Sequence, residues 1–360
     1  MDVKAARPSI TDTAGFHIPS LDGIRGAAAM LVFFSHCDLE DIVPGGFGVT
    51  VFFFLSGYLI TTLLRAEFES AHDISLKRFY LRRFYRIIPP MYLVLCLLLM
   101  PWVHGPTHSH VTTGGLIAQF AQFTNYYAIA YGVYAIIPGS GQMWSLSVEE
   151  HFYLLFPLCL LLALRRWSYR RIVMGLLCLC ALVLAWRCIA ILGLGFSSYY
   201  TYTASDCRID SMLFGCMLAL WASPGRDPEV VGEKAARWIL AAGLVGIALS
   251  LVIRNPTFRE TFRYSVQGAA LIPVFYCAVR YPRWLCFRWL NTRPMIWMGL
   301  ISYTFYLVHV KCLAIAGRYV ERDTLQWALA GFALAVLLSV AIYFLLEKHM
   351  AKLRRQLHPT

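Results

Sequence analysis

His36 closes an apolar run in "FFSHCDLE" (33–40), and few other residues able to move a proton share its surroundings. Glu149 and Glu150 stand in "WSLSVEEHFYLLFPL", Arg208 and Asp210 in "SDCRIDSMLFGCMLA", and His309 in "LISYTFYLVHV", each flanked by Leu, Phe, Val and Ala. A charged or titratable group in apolar solvent is expensive and is usually retained for a job. Imidazole, with an unperturbed pKa near 6.5, is the side chain best suited to take a proton at neutral pH. Imidazole beside carboxylates serves either acid–base catalysis on a weak nucleophile or a proton relay.

Arg25 adds a second element of spacing. It lies eleven residues before His36, which on a helix leaves an angular offset of about 20° and a separation of roughly 16 Å along the axis. A ligand with an anionic head and a long thin arm would bridge that gap, and acyl-coenzyme A has this shape. The block "RRFYRIIPP" (82–90) supplies Arg82, Arg83 and Arg86 for phosphates, because guanidinium forks match phosphate oxygens. Pro89 and Pro90 are suited to opening the helix that follows.

The elements that must carry these groups follow from composition. Of 360 residues 59% are hydrophobic and only 14% charged, with mean hydropathy +0.59, whereas a soluble domain carries about 25% charged residues. The solvent is therefore a membrane, and continuous rather than alternating apolar runs select helices. The expected fold is all-α and polytopic, with about ten transmembrane helices at 23–39, 46–65, 87–104, 144–164, 172–194, 209–222, 236–253, 264–280, 295–315 and 325–346. A weaker stretch at 114–124 could lie in the interface or re-enter. Residues 1–20 form a polar N-terminal segment without the apolar core of a signal peptide, residues 21–346 the membrane domain, and 347–360 a basic tail.

The net charge of +12 raises the question of nucleic acid, but its distribution answers differently. With both termini in the cytoplasm and ten crossings, most of the 32 Lys and Arg residues fall inside, in blocks such as "KRFYLRRFYR" and "RRWSYRR", as the positive-inside rule requires. Arg187 lies within the fifth span. The eleven cysteines show no metal-like spacing and read as apolar fillers. His104, His108 and His110 read as a solvated loop rather than a metal site, lacking acid or thiolate support. "SSYYTYT" (197–203) reads as an interfacial aromatic belt, and "FFF" (52–54) as lipid-facing bulk.

Six segments, "LDGIRGAAAMLVFFSH", "GGFGVTVFFFLSGYLIT", "RRFYRIIPPMY", "WSLSVEEHFYLLFPL", "SDCRIDSMLFGCMLA" and "LISYTFYLVHV", occur in the order found in the acyltransferase 3 family of integral membrane O-acyltransferases, which the chain resembles from about residue 20 to 346. The resemblance implies a bacterial inner-membrane enzyme that moves an acyl group, usually acetyl, from cytoplasmic acyl-coenzyme A to a hydroxyl of a carbohydrate or glycosylated product. Carried over by position, it implies an essential pair in Arg25 and His36, a donor-binding set in Arg82, Arg83 and Arg86, and motif residues Trp144, Ser145, Glu149 and Glu150, with Arg208 and Asp210 downstream. Many members carry an appended extracytoplasmic esterase-like domain; this chain ends shortly past its last span, so a standalone enzyme is expected.

Acyl transfer from a thioester to a sugar hydroxyl needs a base at the oxygen and donors for the oxyanion. His36 is the expected base, oriented by Glu149 or Asp210. A nucleophilic role, through an acyl-imidazole, is left open. Trp144, Ser145, Glu150, Tyr153, Arg208 and His309 form the expected substrate-contacting set, with Ser145 and Tyr153 as candidate oxyanion donors. No permanently bound cofactor and no metal are expected; acyl-coenzyme A is a co-substrate, and the partners are a carbohydrate acceptor and membrane lipid. A proton-coupled transporter or flippase of lipid-linked sugar is the alternative, and a non-catalytic scaffold the third. A transporter has no need for an arginine aligned with His36, and no paired half-repeats are found.

Overall fold

The computed structural model describes residues 18–104 and 111–357. Among them there is no strand, and ten long helices follow one another in alternating direction: α1 (Pro19–Phe34), α2 (Gly45–Ala71), α3 (Leu76–His104), α4 (Trp144–Arg166), α5 (Tyr169–Cys188), α6 (Ser205–Trp221), α7 (Glu233–Val252), α8 (Arg263–Arg280), α9 (Arg293–Ala316) and α10 (Leu325–Ile342). Each apolar segment of the sequence has become one of them. Seven helices among the described residues are long and apolar enough to cross a membrane. The expected ten is not met on that measure, because α1 and α6 are only 16 and 17 residues long and α8 is flanked and interrupted by polar groups. These three pack inside the bundle, and helices covered by other helices need less apolar length of their own. The 114–124 stretch folds into a short helix, Thr113–Phe120, followed by another, Thr124–Tyr131.

Local chemistry sets the ends. Pro19 and Pro294 occupy first-turn positions of α1 and α9, where a missing N–H costs nothing. The Thr324 hydroxyl accepts from the Trp327 amide at the start of α10. His72, in a left-handed conformation, stops α2. Pro89 and Pro90 do not open α3: the helix starts at Leu76 and runs through both. The carbonyls that lose a helical N–H to them are those of Tyr85 and Arg86, a loss that a packed bundle tolerates; on the next carbonyl, that of Ile87, Tyr303 Oη donates at 2.7 Å. The basic block and the span thus share one helix.

α2 packs along α6, α1 along α9, α9 along α10 and α5 along α6. At the α2–α6 crossing the backbones nearly touch, so that a Cβ added to Gly57 would collide with the Met212 carbonyl and one on Gly215 with that of Phe54. The interhelical glycines do what small residues do in membranes, where close packing replaces a hydrophobic drive. Phe53 and Phe54 are fully buried at this seam, and Phe52 faces a cavity, so "FFF" is core and not lipid-facing bulk. Of the cysteines, Cys37, Cys180, Cys207, Cys216, Cys277 and Cys312 are buried fillers, but Cys96, Cys159, Cys178 and Cys286 face outward. The side chain of His104, with His108 and His110, and residues 1–17 and 358–360 lie outside the described residues, as therefore does most of the polar N-terminal segment.

Candidate active site

α1, α2, α3, α4 and α9 line a partly open cavity. Arg25 reaches it from α1, Arg83 and Arg86 from α3, Ser145, Glu149 and Tyr153 from α4, and Tyr303 and Tyr306 from α9. Arg83 and Arg86 are three residues apart and so share a face of α3. Arg25 is held by Asp22 one turn back at 3.0 Å, and Arg83 lies over the Tyr153 ring, 5.4 Å from its centroid. Neither Arg83 nor Arg86 is ion-paired with a carboxylate among the described residues. Glu149 accepts from Ser56 Oγ at 3.0 Å and from Tyr153 Oη at 2.9 Å. Three guanidiniums thus converge with one carboxylate on a space walled otherwise by Val49, Phe52 and Leu55, a low-dielectric setting in which the field on an anion is strong.

Arg82 does not join them. Its guanidinium donates to Glu67 at 3.1 Å and to the Leu357 carbonyl at 3.2 Å, because it projects from a different face of α3 than Arg83 and Arg86. Glu150 is largely covered, with Oε1 finding no partner. Ser145 Oγ and Tyr306 Oη are 2.7 Å apart, and Tyr306 Oη also donates to the Gln142 carbonyl at 2.8 Å.

His36 sits where α1 unwinds. The regular helix ends at Phe34 and a π-helical turn, Ser35–Leu39, follows, closed by Asp38 at φ 57°; such widened turns are frequent at functional sites. The ring is exposed. Its Nδ1 donates to the Val32 carbonyl at 2.8 Å, and His309 Nε2 lies 3.4 Å from the same nitrogen. His309 is fully buried on α9, one turn beyond Tyr306, whose carbonyl accepts from His309 Nδ1 at 2.7 Å. One turn of α9 therefore joins the arginine cavity, lined by Tyr306, to the histidine pair.

The expectation that Glu149 or Asp210 orients His36 is not met: no hydrogen bond joins either to it, and His309 occupies that position. Glu149 is engaged by Ser56 and Tyr153 in the cavity. Asp210 is fully buried in an ion pair with Arg187 at 2.8 Å and accepts from Ser265 Oγ at 2.7 Å. Arg187, the cation of the fifth span, has captured it by geometry that spacing does not reveal. Arg208 is also fully buried, pairing with neither acid. It donates to the Tyr202 carbonyl and to Thr50 Oγ1, each at 3.1 Å, inside a box of Tyr264, Tyr202, Phe53 and Trp144 with ring centroids 3.9 to 5.7 Å from its carbon. Trp144 is part of that box. Ser56, Tyr303 and Tyr306 were not singled out from the sequence; the three-residue spacing of Tyr303, Tyr306 and His309 on one helix face was the available signal.

An acyltransferase domain model matches residues 18–344. The chain belongs to the acyltransferase 3 family. Relatives within its reach are the peptidoglycan O-acetyltransferase OatA of Listeria monocytogenes, 29% identical over 85% of this chain; the O-acetyltransferase OatA of Staphylococcus aureus, 28% identical over 84%; and the putative peptidoglycan O-acetyltransferase YrhL of Bacillus subtilis, 28% identical over 83%. The match takes in 51%, 52% and 49% of those proteins, so the chain spans about half their length. No solved structure matches it. As a member of the acyltransferase 3 family, the chain is a membrane protein whose matched region contains both the arginine cavity and the histidine pair.

Proposed function

We propose that this protein transfers an acyl group, acetyl in the simplest case, from cytoplasmic acyl-coenzyme A to a hydroxyl of a carbohydrate. One observation carries the proposal: three arginines meet in a cavity within the helices, and one turn of α9 joins that cavity to a histidine pair whose exposed member, His36, is anchored at Nδ1. The 3′-phospho-ADP head and pyrophosphate are drawn by Arg25, Arg83 and Arg86, and the pantetheine arm runs along the apolar wall towards Tyr306. His36 Nε2 takes the proton of the acceptor hydroxyl as its oxygen attacks the thioester carbon. The new C–O bond forms, the C–S bond breaks, and the proton passes to the departing thiolate. The Ser145 hydroxyl, which donates to Tyr306 Oη at rest because the Tyr306 proton goes to the Gln142 carbonyl, turns to the oxyanion as charge develops.

Ten crossings, both termini on the cytoplasmic side of a bacterial inner membrane, and a glycan acceptor complete the reading. The relatives' names support the acceptor class. Label from radioactive acetyl-coenzyme A entering glycan is the test, in membranes containing the wild type, Arg25→Ala or His36→Ala at equal abundance. Both variants should lose label; full labelling by His36→Ala would remove the histidine from the chemistry and favour proton-coupled transport of a lipid-linked sugar.

A further inference from the structure

The two imidazoles meet edge to face, with centroids 5.0 Å apart and planes at 66°, and their partners fix where the protons reside. A carbonyl oxygen only accepts. His309 Nδ1 lies 2.7 Å from the Tyr306 carbonyl, so Nδ1 carries the proton and Nε2 keeps its lone pair. His36 Nδ1 lies 2.8 Å from the Val32 carbonyl, so it too is the protonated nitrogen of a neutral ring. The contact of 3.4 Å between His309 Nε2 and His36 Nδ1 therefore sets a lone pair against an N–H, not one lone pair against another. His36 Nε2 is left with its lone pair free.

The two rings differ in freedom. His309 is fully buried, nearly parallel to Phe305 at 12° and 6.2 Å, with Phe33 6.4 Å away. Its lone pair cannot be turned elsewhere without dislodging those rings. The His36 ring is exposed and is gripped at its Nδ1 edge.

We infer that His309 is a positioning residue: its buried Nε2 accepts from His36 Nδ1–H, holds His36 in the tautomer whose Nε2 faces the substrates, and steadies the imidazolium formed there. The inference rests on the acyl-transfer reading. Once Nε2 of His36 gains a proton, the positive charge spreads to Nδ1–H, and the hydrogen bonds to His309 and Val32 become charge-assisted. An interaction stronger in the charged state than in the resting state acts on kcat. His309 does not line the arginine cavity, so donor binding is spared.

The test compares His309→Asn with His309→Gln in purified enzyme, reading transfer from labelled acetyl-coenzyme A and the melting temperature. An asparagine amide can reproduce the Nδ1 bond to Tyr306 but does not reach the Nε2 position; a glutamine amide reaches it with an oxygen that accepts. The expected result is a fall in kcat of about 10- to 100-fold for Asn, the loss of one charge-assisted bond, with KM for acetyl-coenzyme A within about twofold and most of the rate retained by Gln. In a His36→Ala background, His309→Asn should add no further loss. Wild-type kcat in the Asn variant, equal loss in both variants, or failure of both to fold would each overturn the inference and make His309 a packing residue. Full activity of His36→Ala would instead overturn the acyl-transfer reading beneath it.

Discussion

Breaking the Arg187–Asp210 pair from one side should cost far more than removing it whole. Both side chains are fully buried. Arg187 donates to Asp210, Ser265 Oγ and the carbonyls of Thr261 and Cys207; Asp210 receives only Arg187 and Ser265, both on Oδ2, while Oδ1 has no partner. Stranding one member of a buried pair costs about 3–5 kcal/mol. Asp210→Leu leaves the guanidinium three dipolar acceptors and belongs near about 3 kcal/mol, whereas Arg187→Met leaves a carboxylate with one hydroxyl and belongs near about 5 kcal/mol. The double variant Arg187→Met/Asp210→Leu replaces the pair with apolar volume and should fall within about 1 kcal/mol of wild type, a strong departure from additivity. Denaturant unfolding of the detergent-solubilised protein measures the cycle, and acyl transfer by the double variant completes it. A double variant as unstable as both single changes combined would refute the pairing argument. A stable double variant without transfer would return Asp210 to the chemistry.

Three further outcomes follow from the same geometry. Arg83→Ala and Arg86→Ala should each raise the Kd for coenzyme A by about tenfold or more by calorimetry, the worth of one charge-assisted contact, whereas Arg82→Ala should change it little because its guanidinium is spent on Glu67 and Leu357. Gly57→Ala should destabilise the fold by about 1–3 kcal/mol through the clash with the Met212 carbonyl, outweighing the gain in helix propensity; an unchanged melting temperature would show that α2 and α6 can part. Arg65→Lys should lower the melting temperature despite keeping the charge, since the Arg65 fork grips both oxygens of Asp227 at 2.8 and 2.6 Å and an ammonium cannot.

What the sequence discloses here is the solvent, and from the solvent the helices. "VFFFLSGYLITTLL" can only be a membrane helix, but its composition does not tell lipid-facing bulk from the core that Phe53 and Phe54 turn out to be. Partnership is where the reading gives out. Asp210 and Arg187 are 23 residues apart on different helices, and nothing local marks Arg187 rather than Arg208 as the mate of that acid. The π-helical turn that carries His36 has no mark in "FFSHCDLE". Arg82, Arg83 and Arg86 look equivalent as a motif, yet the 100° step of a helix sends Arg82 to Glu67 and the other two to the cavity. "YTFYLVH" offered its histidine readily and hid Tyr306, because tyrosine in a membrane helix has a commoner explanation at the interface.

At its N-terminal end the seam between α1 and α9 is built on glycines. A Cβ on Gly299 would strike the Asp22 carbonyl, and one on Gly23 the carbonyl of Leu290 in the turn before α9, so bare backbone bears on bare backbone near the N-terminal ends of two helices that run the same way. Such a joint has no rotamer to exchange and cannot creep as a packed core can. The two helices act as one bracket, and its arms, from Asp22 to His36 and from Gly299 to His309, are roughly 15–20 Å long. On levers of that length a tilt of about 3° displaces a tip by about 1 Å, and a misplacement of that size can cost a catalytic site about a hundredfold. A single methyl group added at the joint would reach the imidazoles as an error in aim.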